Sequence, residues 1–312
     1  MKAVVSSWQV PPAFDLDNLV SRLLQAGRTG FERDCLPSEE EIRYLCIEAR
    51  RVFLSETSLL ELTAPIKICG DLRANFPALI RSFDMYGLPP ESNYLFLGNY
   101  VNRGNQSIET ICLLLALKIM HPGHIFLLRG RYETRDMSRL YGFYDEFSRA
   151  NLHAGAWELF NECFDCLPIA ATIEEKILAI PRGLSPDLYH MELIRRLWRP
   201  LEIPPYGLAC DLLWATAEED ISGWSETENG VSFSFGPDIV ARFVDKHDLD
   251  LICVSGHALE DGYEFYAGRK LVKLFTSPNY LGDFENAGAI MEVDETLLFT
   301  FKVSGDALKI GN

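Results

Sequence analysis

The chain has 312 residues, 48% of them apolar and 24% charged, and carries a net charge of −16 at pH 7. That length allows one large domain or two small ones. So acidic a surface argues against non-specific binding to nucleic acid or to anionic membranes, and it suits partners with basic segments.

Residues 1–14, MKAVVSSWQVPPAF, read as a loose arm. They lack a long apolar core with a small-residue cleavage site, so no export signal is expected. The stretch LDNLVSRLLQAG has helical periodicity and ends at a glycine. A second helix is predicted from SEEEIRYLCIEARRVFL, where Ser38 and Glu41 form the pattern of a capping box. The rhythm then changes. PIKICG, NYLFLG, HIFLLRG and KILAIPRG are short apolar runs, each closing on a polar loop that contains glycine. They read as buried strands, with QSIETICLLLALKIM as a crossover helix between the second and third. Its core, ICLLLALKIM, is interrupted by Lys118 and is too short to span a bilayer. The later stretches DLDLICVSG, KLVKLFTSPNY, AGAIMEVD and LLFTFKVSG add further strands. Together these elements predict an α/β sandwich in one domain.

The eight cysteines are scattered. Without an export signal they read as reduced thiols of a cytoplasmic or nuclear protein, and Asn105-Gln106-Ser107 as an unused glycosylation pattern. CFDC (Cys163 to Cys166) has CxxC spacing, but no second pair completes a zinc site. It sits in a helical pattern and reads as core. In folds of this class the loops after the strands gather on one edge and form the site. Those loops are GDLRA (70–74), GNYVNRG (98–104), RGRYE (129–133), PRG (181–183), VSGHA (254–258) and SPNY (277–280).

These loops, with PPESNYLFLG, SIETICLLLA, YGFYDE, CLPIAA, GLSPDL, CDLLW, EDGYEF and NAGAIMEVDETL, carry a resemblance. The chain resembles the catalytic subunit of type 1 serine/threonine protein phosphatase, from about residue 15 to about residue 303. The resemblance implies a metallophosphoesterase-like α/β (α+β) fold, a central β-sandwich of mixed sheets flanked by helices. It frames a domain over 15–303, after the arm at 1–14 and before a short C-terminal end at 304–312. It also implies a chemistry in which two divalent ions, such as manganese, iron or zinc, activate a bridging hydroxide. Such ions need carboxylate and imidazole ligands. The family pattern is GDxHG, GDxVDRG, GNHE, HGG and a late RAH.

This sequence departs from that pattern in every motif. Asp71 is retained, but Arg73 replaces a histidine ligand and Asn99 the bridging aspartate. Asn102 replaces the aspartate that positions the catalytic histidine, and Tyr132 replaces that histidine. Arg131 stands for an asparagine ligand, Pro181 and Gly256 for histidine ligands, and Arg182 for a glycine, while His257 falls one residue late. Glu133, Arg103 and Tyr280 are retained, and Asn229 stands where the second phosphate-binding arginine belongs. One carboxylate cannot hold two divalent ions against water, so loss of the metals is expected. Ion pairs such as Arg73–Asp71 or Arg131–Glu133 would then staple the cleft. Alternatively Arg73, Arg103, Arg131 and Arg182 would grip a phosphate.

The family recruits regulators through a strand-like RVxF segment added to a sheet edge. By resemblance the groove here is Ile177, Leu251, Phe265, Met291, Leu297, Phe299 and Phe301, and the acidic rim Glu174, Asp250 and Glu295. Phe299 stands where the family has cysteine. The expectation is a pseudoenzyme rather than an enzyme: a catalytically inactive scaffold for phosphatase regulatory subunits with RVxF-type motifs. Two alternatives stand beside it, a weak or altered metal-dependent phosphatase and a phosphopeptide-binding module using the arginine cleft.

Overall fold

The computed structural model describes residues 14–30, 35–227 and 230–304. The expected arm (1–14) and C-terminal end (304–312) therefore lie outside the described residues, apart from Phe14 and Ser304, and so does Asn229.

In chain order the elements begin with helices α1 (Leu16–Thr29) and α2 (Glu39–Ser55), strands β1 (Leu59–Leu62) and β2 (Ile66–Cys69), and α3 (Phe76–Tyr86). There follow β3 (Tyr94–Phe96), α4 (Ser107–Met120), β4 (Ile125–Leu127), α5 (Arg135–Leu140), α6 (Phe143–Arg149) and α7 (Ala154–Phe164). Next come β5 (Ala170–Ile173), β6 (Ile177–Ile180), α8 (Glu192–Arg195), α9 (Leu208–Trp214), β7 (Thr216–Ala217), β8 (Trp224–Glu226) and β9 (Phe233–Phe235). The last are α10 (Pro237–His247), β10 (Leu251–Ser255), β11 (Tyr263–Tyr266), β12 (Leu271–Leu274), β13 (Gly288–Val293) and β14 (Phe299–Ser304).

Two mixed sheets face each other, as the sandwich expectation requires. One has the order β1-β5-β6-β10-β12-β11 and the other β14-β13-β2-β3-β4. Ile68, Leu95, Leu128, Ala179, Cys253 and Leu274 meet between them in one buried cluster. Helices α1 to α7 pack with residues of β2 to β4 in a second cluster, and α8 to α10 pack against the six-stranded sheet in a third. A small sheet, β7-β9-β8, has strands of two or three residues, too short for an alternation to betray them.

Local chemistry explains the boundaries. The capping box forms as expected: Ser38 Oγ accepts from Glu41 N at 3.2 Å and Glu41 returns a bond to Ser38 N at 2.6 Å. The first helix does not stop at Gly27. A Cβ there would lie 2.4 Å from Ile80 of α3, so this glycine permits a close helix contact, and the helix ends at Gly30, with φ +105°. The α4 helix is buried on nearly all sides. Its Lys118, fully buried, bonds to the Pro122 and Ile125 carbonyls and pairs with Glu56, which makes its charge tolerable there. All eight cysteines are free, and Cys163 and Cys166 are both buried. Among the described residues no helix is long and apolar enough to cross a membrane.

Candidate functional site in the strand-end cleft

The parallel strands β2, β3 and β4 of one sheet and β6, β10 and β12 of the other run out toward the loops that carry Asp71, Asn99, Arg131 and Arg182, and β10 ends at Ser255. Close backbone packing brings these loops together. A Cβ on Gly98, at φ +102°, would lie 2.3 Å from Gly130 N, so the loops after β3 and β4 touch through two glycines. A Cβ on Gly70 would meet the Leu274 carbonyl at 2.4 Å, which fixes the end of β2 against β12.

Asp71 is fully buried at the centre. Its Oδ2 accepts from Arg73 Nε at 2.6 Å, and its Oδ1 accepts from Asn99 Nδ2 at 2.7 Å and from the Ser255 hydroxyl. Arg73 is 6% exposed. Its Nη1 donates to Tyr280 Oη at 2.9 Å and to Tyr132 Oη at 3.3 Å. The Tyr132, Tyr280 and Phe275 rings surround its Cζ at 5.0, 5.2 and 5.6 Å. Burial works against its charge, but Asp71 and the two tyrosines outweigh burial and hold the guanidinium protonated. The expected Arg73–Asp71 pair is thus present.

The expected Arg131–Glu133 pair is not. The Glu133 carboxylate accepts backbone N–H groups of Asn99 at 2.7 Å, Tyr100 at 2.8 Å and Gly130 at 3.0 Å, so backbone donors take the place of a guanidinium. Burial pushes its carboxyl up to about 7 against the pull of those bonds. Arg131 instead lies over the Tyr132 ring at 5.3 Å.

Each amide uses donor and acceptor at once, which a carboxylate cannot do. Asn99 gives its Nδ2 to Asp71 and accepts Tyr132 N on Oδ1 at 3.2 Å. Asn102 donates to the Met137 carbonyl at 3.1 Å and accepts Phe143 N at 2.9 Å, tying its loop to α5 and α6. Both have positive φ, 58° and 71°, a backbone that asparagine tolerates better than most residues.

Of the candidate anion ligands, Arg73 is committed to Asp71. Arg103 is exposed, with Nε 3.2 Å from Tyr132 Oη and its guanidinium 4.1 Å over Tyr141. Arg182 is half-buried beside Ser255, Gly256 and His257. Burial, then Arg131, push its guanidinium down to about 10, while Asp71 pulls the other way. His257 lies past the end of β10 and is exposed. Burial of part of its ring and then Arg182 lower its pKa. Pro181 and Gly256 are buried and offer no side-chain donor. Sequence reasoning passed over Ser255, whose neighbour Gly256 drew attention, and over Tyr141 and Phe275, which no ligand motif marks.

The two divalent ions implied by the resemblance do not fit these residues. Of Asp71, Arg73, Asn99, Arg131, Pro181 and Gly256, only Asp71 supplies negative charge, and both its oxygens are already engaged. Arg73 brings a permanent cation to the same carboxylate. Among the described residues no group of three or more His, Cys, Asp or Glu side chains is placed to hold a metal.

The groove residues also gather in one cluster. Ile177, Leu251 and Met291 are buried in the cluster between the sheets, and Phe265, Leu297, Phe299 and Phe301 pack against it partly exposed. Phe301 stacks on Tyr263 at 3.9 Å, and Phe299 lies 6.2 Å from Phe265 and 5.9 Å from Phe301. Glu174, Asp250 and Glu295 are exposed.

Comparison with known proteins is consistent over most of the chain. The profile described as calcineurin-like phosphoesterase matches residues 64–261, and the serine-threonine protein phosphatase N-terminal domain matches residues 16–63. A protein serine/threonine phosphatase from Saccharomyces cerevisiae, itself described as similar to human phosphatase PP5, superposes with a TM-score of 0.85 at 26% identity, covering 94% of this chain and 97% of that one. A cold-active protein-tyrosine phosphatase of the psychrophile Shewanella sp. shares the fold, with a TM-score of 0.59 at 12% identity over 81% of this chain and 84% of that one. These matches correct the expectation that the chain is not an enzyme. The phosphoesterase profile spans every loop in which the substitutions fall, from Arg73 to Gly256, so those changes do not take the chain out of the calcineurin-like phosphoesterase family.

Proposed function

Because the chain belongs to the calcineurin-like phosphoesterase family, we propose that its serine/threonine-phosphatase fold serves as a docking platform of the type 1 kind, which takes RVxF-type segments of regulatory proteins at a sheet edge. The observation that carries this reading is the partly exposed cluster of Phe265, Phe299 and Phe301 between two edge strands, β11 and β14. Among the described residues β14 pairs on one side only, so its other side can accept an extended segment. The exposed Glu174, Asp250 and Glu295, on a chain of net charge −16, favour a basic segment beside the apolar anchors. Eight free thiols support placing this encounter in the cytoplasm or nucleus.

Phe299 sets the affinity in this reading. Its ring is packed into the aromatic wall rather than standing alone over a pocket, so Phe299→Cys removes wall and is expected to weaken binding about tenfold. Glu295→Lys, at an exposed position, should weaken binding and flatten its dependence on salt. Fluorescence titration of a labelled basic RVxF peptide against the three proteins provides the test. Saturable binding that both variants weaken is expected. Absence of binding to the native chain, or equal binding to all three, would overturn the platform reading.

A further inference from the structure

The misfit between the cleft and divalent metal has a positive side. We propose that the Arg73 guanidinium is the resident structural cation of this cleft and that its surroundings form a built guanidinium site.

The site has the parts that recognition of a planar organic cation needs. A fully buried carboxylate, Asp71, sits 2.6 Å from Nε. Two phenol oxygens, of Tyr132 and Tyr280, accept from Nη1. Three aromatic rings enclose Cζ within 5.6 Å. An aromatic cage with an anion at one side suits a weakly hydrated, delocalised cation. It suits a small dication poorly, because phenols and ring faces cannot replace the oxygen shell that a dication gives up.

The guanidinium also joins segments far apart in sequence. Through Asp71 it reaches Asn99 and Ser255, and directly it reaches Tyr132 and Tyr280. The backbone is shaped to deliver it. Arg73 and Ala74 have φ of 49° and 58°, held by bonds from Arg73 N to the Asn99 carbonyl at 2.9 Å and from Ala74 N to the Tyr100 carbonyl at 2.8 Å. Non-glycine residues adopt such angles only where the surroundings over-determine them. The loops are therefore set without metal, and the stability of the fold does not follow metal supply. This proposal concerns the cleft and not the docking edge, so its failure would leave peptide docking standing.

Chemical rescue tests it. Arg73→Ala should empty the cage while leaving Asp71 and the three rings in place. Its melting temperature is expected to fall well below that of the native chain. Methylguanidinium chloride at millimolar concentration should raise it again, since a ligand that binds only the folded state stabilises it. The same salt should leave the native chain unmoved, and sodium chloride, manganese or zinc should not substitute. Should Arg73→Ala not fold alone, its refolding yield in methylguanidinium against manganese gives the same readout. Rescue by manganese, or no rescue by methylguanidinium in either measurement, would overturn the proposal.

Discussion

Asp71→Ala is expected to destabilise the fold by about 3–5 kcal/mol, the usual cost of removing one partner of a buried ion pair. The penalty comes from what remains. Arg73, 6% exposed, would keep a charge with no carboxylate at 2.6 Å to answer it. Arg182 feels the like charges of Arg131 and Arg73, which Asp71 now offsets, so the loss leaves like charges facing one another. Asn99 Nδ2 and the Ser255 hydroxyl would each lose an acceptor as well. Asp71→Asn should cost less, because it keeps an acceptor oxygen and the side-chain volume. Urea unfolding of the native chain and the two variants separates these effects. Equal stability of Asp71→Ala and the native chain would mean that the pair is not a structural staple.

The second large effect runs against an intuitive repair. Restoring a carboxylate with Asn99→Asp should not build a metal site; it should weaken the fold. Asn99 Nδ2 now donates to Asp71 Oδ1 at 2.7 Å, and aspartate would turn that contact into two acceptors face to face. Like-charged carboxylates at that range cannot both ionise cheaply, so the pair would hold a proton and its folded pKa would rise above the ordinary aspartate value of about 3.9. A raised carboxyl pKa gives a stability contribution that is present at low pH and lost as pH rises through the folded value. The deficit of Asn99→Asp against the native chain should therefore be small near about pH 4 and grow to a few kcal/mol, roughly 1–3, at neutral pH. Melting curves across pH decide it. A deficit that shrinks as pH rises, or appears only when chelator is present, would show that the new carboxylate recruits a cation.

Much of this architecture is legible in the residues. Short apolar runs closed by glycine loops mark β2, β3, β4 and β6 because buried parallel strands need continuous apolar side chains. The Arg73–Asp71 pair is legible because the two side chains share one tight loop. Glu133 shows where such reading ends. Its partners are backbone N–H groups, two of them of residues 33 and 34 positions away, and side-chain identity carries no record of them. Gly27 looks like a helix stop until Ile80 is seen against it. The small sheet of β7, β8 and β9 is too short for any alternation to register. The family matches draw a different lesson. Substitutions at ligand positions point away from the enzymes, whereas the profile over residues 64–261 places the chain with the calcineurin-like phosphoesterases, and the yeast serine/threonine phosphatase superposes on nearly all of it.

If Arg73, and not divalent metal, holds the cleft together, the native chain needs no ion to keep its loops in place. The most direct test is the metal content of the native chain, purified without chelator, equilibrated with manganese and zinc salts, desalted and measured by inductively coupled plasma mass spectrometry. Far less than one ion per chain is expected, with a melting temperature that EDTA does not change. Two ions per chain, removed by EDTA together with a fall in melting temperature, would contradict it.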